Sequence, residues 1–190
     1  MTEKTDRQKE IIAKAAKLFH ERGYSAVSMR DIANALNIKA ASLYNHISSK
    51  QEILSEIVIS TAEAFTRGMK SVTVMKASST DKLKQLISIH IDITLRNPDA
   101  IACLNNDWMH LDKKNLRYFL KMREDYEENF RKILRKGVRE KEIKNLNVEI
   151  ILFSMLSTLR TLHIWYGKRK KIRASELKED ITRVLLKGVL

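Results

Sequence analysis

The stretch Asp31–Lys50 reads DIANALNIKAASLYNHISSK. Two short runs with apolar residues at helical spacing flank a break at Asn37-Ile38-Lys39. The second run carries Lys39, Ser42, Tyr44, Asn45 and His46 within eight residues, beside apolar anchors at Leu43 and Ile47. Two helices joined by a three- or four-residue turn form a helix-turn-helix unit. Three positions support that geometry. Ala33 is small where the helices must approach closely. Asn37 stands where the turn needs a left-handed backbone, which asparagine tolerates better than most residues. Ile38 plugs the angle between the helices. Ile32, Leu36, Leu43 and Ile47 then share a core with Leu18 and Phe19. The second helix keeps a free edge of Lys39, Ala40, Ser42, Tyr44, Asn45 and His46.

A major groove admits one helix, and base edges offer donors and acceptors to side chains of this kind. Ala40 and Ala41 permit close entry and contact with thymine methyls. Asn45 suits adenine or a phosphate, and Tyr44 and His46 suit phosphates or packing. Lys50 lies in the first turn of the next helix, where its charge opposes the helix dipole. An external phosphate accounts for it better, although an exposed lysine needs no explanation. Ser28, Met29 and Arg30 stand at another helix start that can face the nucleic-acid backbone.

The whole chain suits this reading. Its 190 residues are 44% hydrophobic, enough for a substantial core. The formal net charge is +13 and the pI about 9.8. Such an excess favours a polyanionic partner, nucleic acid ahead of an anionic membrane, with a merely basic soluble protein as the alternative. Cys103 is the one cysteine, so no internal disulfide forms, as suits a reducing compartment. The polar N-terminus has no apolar signal core, and no apolar run approaches the roughly 20 residues that span a bilayer. A soluble cytoplasmic protein is expected.

Five glycines, one proline and frequent i, i+3, i+4 spacing predict an all-α fold. The first helix spans about Asp6–Arg22 and stops at Gly23. Ser28 with Asp31 caps the helix MRDIANAL. The next runs over about Lys39–Ile47. Ser49 and Glu52 form a capping box that opens a long helix to about Val72. Five more follow: Thr80–Arg96, Asp99–His110, Asp112–Lys141, Asn147–Tyr166, and one from Ser175 to the C-terminus. Residues 1–48 read as a DNA-binding domain and 49–190 as a second domain.

At AAKLFHERGYSAVSMRDIANALNIKAASLYNHISSKQEIL the chain resembles the TetR/AcrR family of bacterial transcription regulators. The resemblance covers roughly residues 8–57. Asn37 replaces the usual turn glycine and Ile47 the common phenylalanine; both keep the chemistry required. The resemblance implies a nine-helix homodimer and a near-palindromic operator, usually repressed. It implies a ligand-binding and dimerisation domain whose effector shifts the helix from Ser49, so that ligand and operator prefer different members of the ensemble. It implies dimerisation through the last two helices. There Ile151, Met155, Leu159 and Leu162 form one stripe, and Ile181, Leu185 and Val189 another; either stripe can equally be intramolecular core.

Met75, Ile89, Ile93, Leu104, Trp108, Phe119, Met122, Tyr126 and Trp165 can line an apolar ligand site, or be ordinary core. The segment LSTLRTLHIWYGKRKKI resembles regulators that respond to acyl-CoA or other fatty-acid-derived ligands. Arg160, Lys168, Arg169, Lys170 and Lys171 would then meet CoA phosphates, with a solvated basic loop as the alternative. Catalysis has little support. His90, His110, His163, Cys103 and Asp107 are scattered without metal-site spacing, and there is neither a phosphate loop nor a nucleophile elbow. No cofactor or metal is expected. The competing reading of the charge is an architectural, sequence-independent nucleic-acid binder.

Overall fold

The computed structural model describes residues 5–167 and 172–190. Nine α-helices and one 3₁₀ turn make up the described residues, with no strand among them. The helices are α1 (Asp6–Arg22), α2 (Met29–Ala35), α3 (Ala40–Tyr44), α4 (Lys50–Thr73), α5 (Ser79–Arg96), α6 (Pro98–Asn106), α7 (Lys113–Arg139), α8 (Val148–Gly167) and α9 (Ala174–Lys187). The 3₁₀ turn, Trp108–His110, follows α6.

Side chains set most of the helix starts. Thr5 caps α1 by accepting from the Gln8 N–H at 3.3 Å, and the Gln8 side chain answers on the Thr5 N–H at 3.1 Å. Ser28 and Asp31 make the same reciprocal pair for α2. At α4 the pairing differs from the box expected. Ser49 accepts from the Glu52 N–H at 3.1 Å, but the Glu52 carboxylate reaches past Ser49 to the Ser48 N–H at 2.8 Å. Pro98 opens α6 rather than merely ending α5, because its missing N–H and fixed φ suit the first helical position. The single helix expected over Asp99–His110 breaks after Asn106 and ends in the 3₁₀ turn. The last helix stops at Lys187, short of the C-terminus.

The chain forms two compact units. One joins the residues up to Ala62 with Asp99–Leu120; the other joins Glu63–Pro98 with Lys121–Leu190. In the first unit α2 packs on α1 and α3. Ile11, Leu18, Phe19, Ile32, Ala33, Leu43 and Ile47 are buried, and Leu36 and Ile38 half-buried. Each buried methylene removed from water stabilises by about 0.8 kcal/mol, so this small unit depends on every anchor. Cys103 is also buried, its Sγ 3.6 Å from the Ala16 carbonyl.

In the second unit α5 packs on α8 and α9 around Leu83, Leu86, Ile87, Phe130, Leu134, Met155 and Leu159. Gly68 lets α4 and α5 approach closely: a Cβ there would stand 2.7 Å from Ile89 Cγ2. Helix α8 is 20 residues long and, by length and composition alone, apolar enough to cross a membrane. The sequence reading found no such run. Its Ile151, Leu152, Met155, Leu156, Leu159 and Leu162 are packed into the core of this unit.

Candidate nucleic-acid interface and ligand site

The turn between α2 and α3 has the backbone that its sequence predicts. Asn37 adopts φ 55°, in the left-handed region, and the Ile38 N–H returns to the Ala33 carbonyl at 3.0 Å. Ala33 is buried there, which lets the two helices cross closely. Helix α3 is shorter than expected, ending at Tyr44 rather than Ile47. The N–H groups of His46 and Ile47 both bond to the Leu43 carbonyl, at 3.0 and 3.1 Å. That shared acceptor closes the helix while keeping Ile47 buried. Gln8 of α1 donates to the His46 carbonyl at 3.0 Å and ties this end of α3 to the first helix.

With Leu43 and Ile47 buried, the other side of α3 is open. Lys39, Ala41, Ser42 and Asn45 are exposed, and Tyr44 is 53% exposed. Ala40 and His46 are half-buried. The α3 N-terminus has no side-chain cap; the Lys39 carbonyl accepts from the Ser42 and Leu43 N–H groups at 2.9 and 3.3 Å. At the start of α2, Arg30 is exposed and Met29 half-buried. Ser28 is exposed, but its hydroxyl is engaged by the Asp31 carboxylate. The hydroxyl and N–H of Ser28 hold the Asp31 carboxyl below its ordinary pKa.

Lys50 is placed differently from the reading that assigned it to an external phosphate. Its ammonium donates to the Tyr24 carbonyl at 2.9 Å and the Val27 carbonyl at 2.7 Å, and lies 4.3 Å from the Tyr24 ring centroid. The turn between α1 and α2 therefore accounts for its charge. The Tyr24 hydroxyl donates to Gln51 at 2.8 Å, the Gln51 amide donates to the His110 carbonyl at 2.8 Å, and the Tyr24 and His110 rings stack at 5.3 Å. The buried Asp107 carboxylate accepts from the Tyr24 N–H at 3.4 Å. Burial raises its pKa, with that bond acting in the opposite sense. No sequence signal marks this network, because its bonds join residues 23 to 83 positions apart.

The structure divides the expected ligand-lining residues. Leu104, Trp108 and Phe119 belong to the first unit, where Trp108 stacks on Phe119 at 5.8 Å. Ile89, Ile93, Met122, Tyr126 and Trp165 belong to the second. There Ile89, Ile93 and Tyr126 are half-buried and Met122 is buried. Trp165 is 40% exposed, and Met75 is also exposed, so neither lies in the interior. Arg160 pairs with Glu127 at 2.8 Å. Lys168, Arg169, Lys170 and Lys171, expected to meet ligand phosphates, lie outside the described residues.

His90 was expected only as a scattered histidine, yet it sits beside Tyr126, with Nε2 and the hydroxyl 2.6 Å apart. Burial is the main reason its imidazole is pushed down to about 3, with Arg160 second. Burial likewise pushes the Cys103 thiol up to about 12, which keeps it protonated and a poor nucleophile. No three His, Cys, Asp or Glu side chains gather to hold a metal ion among the described residues.

The stripes on the last two helices separate. Ile151, Met155, Leu159 and Leu162 are core of the second unit, not a free face. Ile181 and Leu185 pack partly against that core, and Val189 is buried in it. The exposed apolar residues of α8 are Ile150, Phe153, Ile164 and Trp165; on α9, Val184 is exposed.

Known proteins agree with this architecture. The HTH-type transcriptional repressor KstR2 of Rhodococcus jostii is 23% identical over 188 residues, spanning 98% of this chain and 92% of that protein. The solved structure of the ketosteroid transcriptional regulator KstR2 of Mycobacterium tuberculosis superposes with a TM-score of 0.91 at 20% identity, covering 98% of this chain and 96% of that one. A structure of AibR in complex with isovaleryl coenzyme A and operator DNA has a TM-score of 0.80 at 19% identity, covering 94% and 97%. Residues 11–57 match the family described as bacterial regulatory proteins, tetR family. Residues 76–189 match the tetracyclin repressor-like C-terminal domain. The chain belongs to the tetR family of bacterial regulatory proteins and is a DNA-binding transcription regulator.

Proposed function

We propose that this regulator is a repressor that binds a palindromic operator as a homodimer and leaves it when a small, hydrophobic, acyl-CoA-like effector binds. One observation carries the DNA-binding part: α3 buries Leu43 and exposes Lys39, Ala41, Ser42, Tyr44 and Asn45. An uncapped helix with small residues at its start and hydrogen-bonding side chains along its free edge suits a major groove. The expected set is Ser28, Met29, Arg30, Lys39, Ala40, Ala41, Ser42, Tyr44, Asn45, His46 and Lys50. The exposed members of α3 are its centre, Arg30 is a phosphate contact, and Lys50 acts from behind through the turn that it braces. On this reading residues 1–48 meet DNA, and residues 49–190 bind effector and partner.

The exposed Phe153 and Val184 favour dimerisation through α8 and α9, because a two-fold contact buries the same apolar patch on both copies. Binding of isovaleryl coenzyme A by AibR supports an acyl-CoA-like effector through likeness of fold. The competing reading, a sequence-independent binder, rests on the net charge of +13.

Fluorescence anisotropy tests these readings. The probes are duplex from immediately upstream of the protein's own gene and a scrambled duplex, at about physiological salt, with and without octanoyl-CoA. Preference for the upstream duplex, abolished by octanoyl-CoA, is the expected result. Equal binding to both duplexes, falling steeply with salt, favours the sequence-independent reading.

A further inference from the structure

The most unusual chemistry in the second unit is a polar pair set among aromatic rings. His90 of α5 and Tyr126 of α7 are joined at 2.6 Å. Phe65 of α4 lies against the His90 ring, with centroids 4.6 Å apart, and edge-on to Tyr126 at 6.3 Å. Phe130 flanks Tyr126 at 6.4 Å. Burial is uneven across this group. His90 and Phe130 are sealed, while Phe65, Tyr126 and the nearby Ile89 and Ile93 of α5 keep accessible surface. The Tyr126 hydroxyl itself is buried beside His90, and the accessible surface nearby belongs to the apolar residues around it.

Charge decides what that hydroxyl can meet. Burial keeps the His90 imidazole unprotonated and raises the Tyr126 hydroxyl pKa, so both are neutral. Arg160, the nearby cation acting on both, is paired with Glu127 at 2.8 Å. A ligand carboxylate placed here would be desolvated beside a neutral pair, at a large cost. An uncharged oxygen would not. Tyr126 offers one donor and acceptor lone pairs, and His90 occupies only one of these functions. If His90 accepts, the tyrosine oxygen remains an acceptor for a ligand hydroxyl. If His90 donates, the O–H remains a donor for a ligand carbonyl. An apolar pocket with a few convergent polar groups is how small-molecule sites obtain both affinity and orientation.

We propose that the Tyr126 hydroxyl, oriented by His90 between Phe65 and Phe130, is the contact that reads an uncharged carbonyl or hydroxyl oxygen on an apolar effector. This rests on the second unit carrying the effector site and names the group that the site reads. Acyl thioesters and cyclic ketones share that chemistry; fatty-acid carboxylates do not.

Calorimetric titration of the full chain with octanoyl-CoA, androstenedione and octanoate tests it, with the parent protein and Tyr126→Phe. At least one of the first two probes should bind, with octanoate at least tenfold weaker. Binding of octanoyl-CoA alone assigns an acyl thioester; binding of androstenedione alone assigns a cyclic ketone. Tyr126→Phe keeps the ring and removes the hydroxyl, so it should weaken the bound probe by about tenfold, the scale of one hydrogen bond. Equal affinity of parent and variant makes the pair purely structural and overturns the inference. So does octanoate binding as tightly as the neutral probes, or no binding by any of the three. If Tyr126→Phe does not fold, the parent's ¹⁵N-histidine spectrum decides. The His90 Nε2 signal should move on adding the bound probe, and a fixed signal overturns the inference. A parent that prefers its upstream duplex but binds none of the probes sinks this inference alone. A parent without duplex preference counts instead against the proposed sequence-specific operator reading.

Discussion

The Lys50 ammonium donates to the Val27 carbonyl at 2.7 Å, across 23 positions of sequence. It thereby fixes the turn that delivers Ser28 to the start of α2. Lys50→Met keeps most of the stem but leaves the Val27 and Tyr24 carbonyls without their charged donor. A stability loss of about 1–3 kcal/mol is expected, read as a lower urea midpoint at unchanged m. The same variant separates bracing from phosphate contact. Bracing alone leaves the slope of log K against log salt unchanged. A phosphate contact lowers it by about 1 per protomer.

Tyr44→Ala and Asn45→Ala remove exposed side chains beyond the buried Leu43. Each should leave the thermal midpoint within a few degrees, since exposed substitutions change stability by about 0.5 kcal/mol or less. Each should weaken binding to the preferred duplex by about 1–3 kcal/mol if it touches a base. Anisotropy at fixed salt measures this. Two variants that bind like the parent would put the reading face elsewhere.

His90 makes folding pH-dependent in a known direction. Its native pKa of about 3 lies below the ordinary value of 6.5. The unfolded chain therefore takes up a proton near pH 6.5 that the native protein refuses until about 3. This contribution is fully present above pH 6.5 and is lost as pH falls toward 3, at about 1.4 kcal/mol per unit. Between pH 7 and pH 5 the loss is about 2 kcal/mol. His90→Leu should be less stable at neutral pH, because it strands the Tyr126 hydroxyl, but should lack that slope. Asp31, Asp81 and Asp112, whose pKa values are lowered from 3.8, lose their contributions only as pH falls below about 5. Urea denaturation of parent and variant at pH 5, 6 and 7 measures the difference.

Phe153 and Val184 are each 71% exposed, although Ile151 and Met155 beside Phe153 on α8 are core. Phe153→Asp or Val184→Asp should leave helicity unchanged and convert a dimer to monomer at micromolar concentration, by light scattering coupled to size exclusion. Duplex affinity should fall with it. Variants that keep the parent's mass would place the two-fold contact on another face.

Local rules were legible in the sequence. Asn37 is left-handed, as its place in the turn requires, and Ser28 with Asp31 starts α2 as their spacing predicts. Positions governed by distant partners were not. Lys50 looks like a surface cation until Tyr24 and Val27 fold over it. His90 looks isolated until α7 brings Tyr126 to it across 36 positions. On α8 both faces are apolar, so periodicity alone could not choose between Ile151 and Ile150 as the inward side. The end of α3 is hidden for a related reason: Ile47 continues the apolar spacing from Leu43, but the His46 and Ile47 N–H groups share the Leu43 carbonyl rather than propagating the helix.

On the proposed reading, the brevity of α3 limits how much information one copy of the protein extracts from DNA. Five helical residues rise about 7.5 Å, little more than two base-pair steps of about 3.4 Å. With Lys39 and Asn45 at its ends, such a reader spells a word of about four letters, or about eight bits. A genome offers at least about a million competing positions, and naming one of them takes about twenty bits. No refinement of the side chains on α3 closes that gap. Unique addressing requires the word to be read more than once, at a spacing fixed by protein rather than by DNA. A small molecule that alters the spacing can erase the address without touching a letter of it.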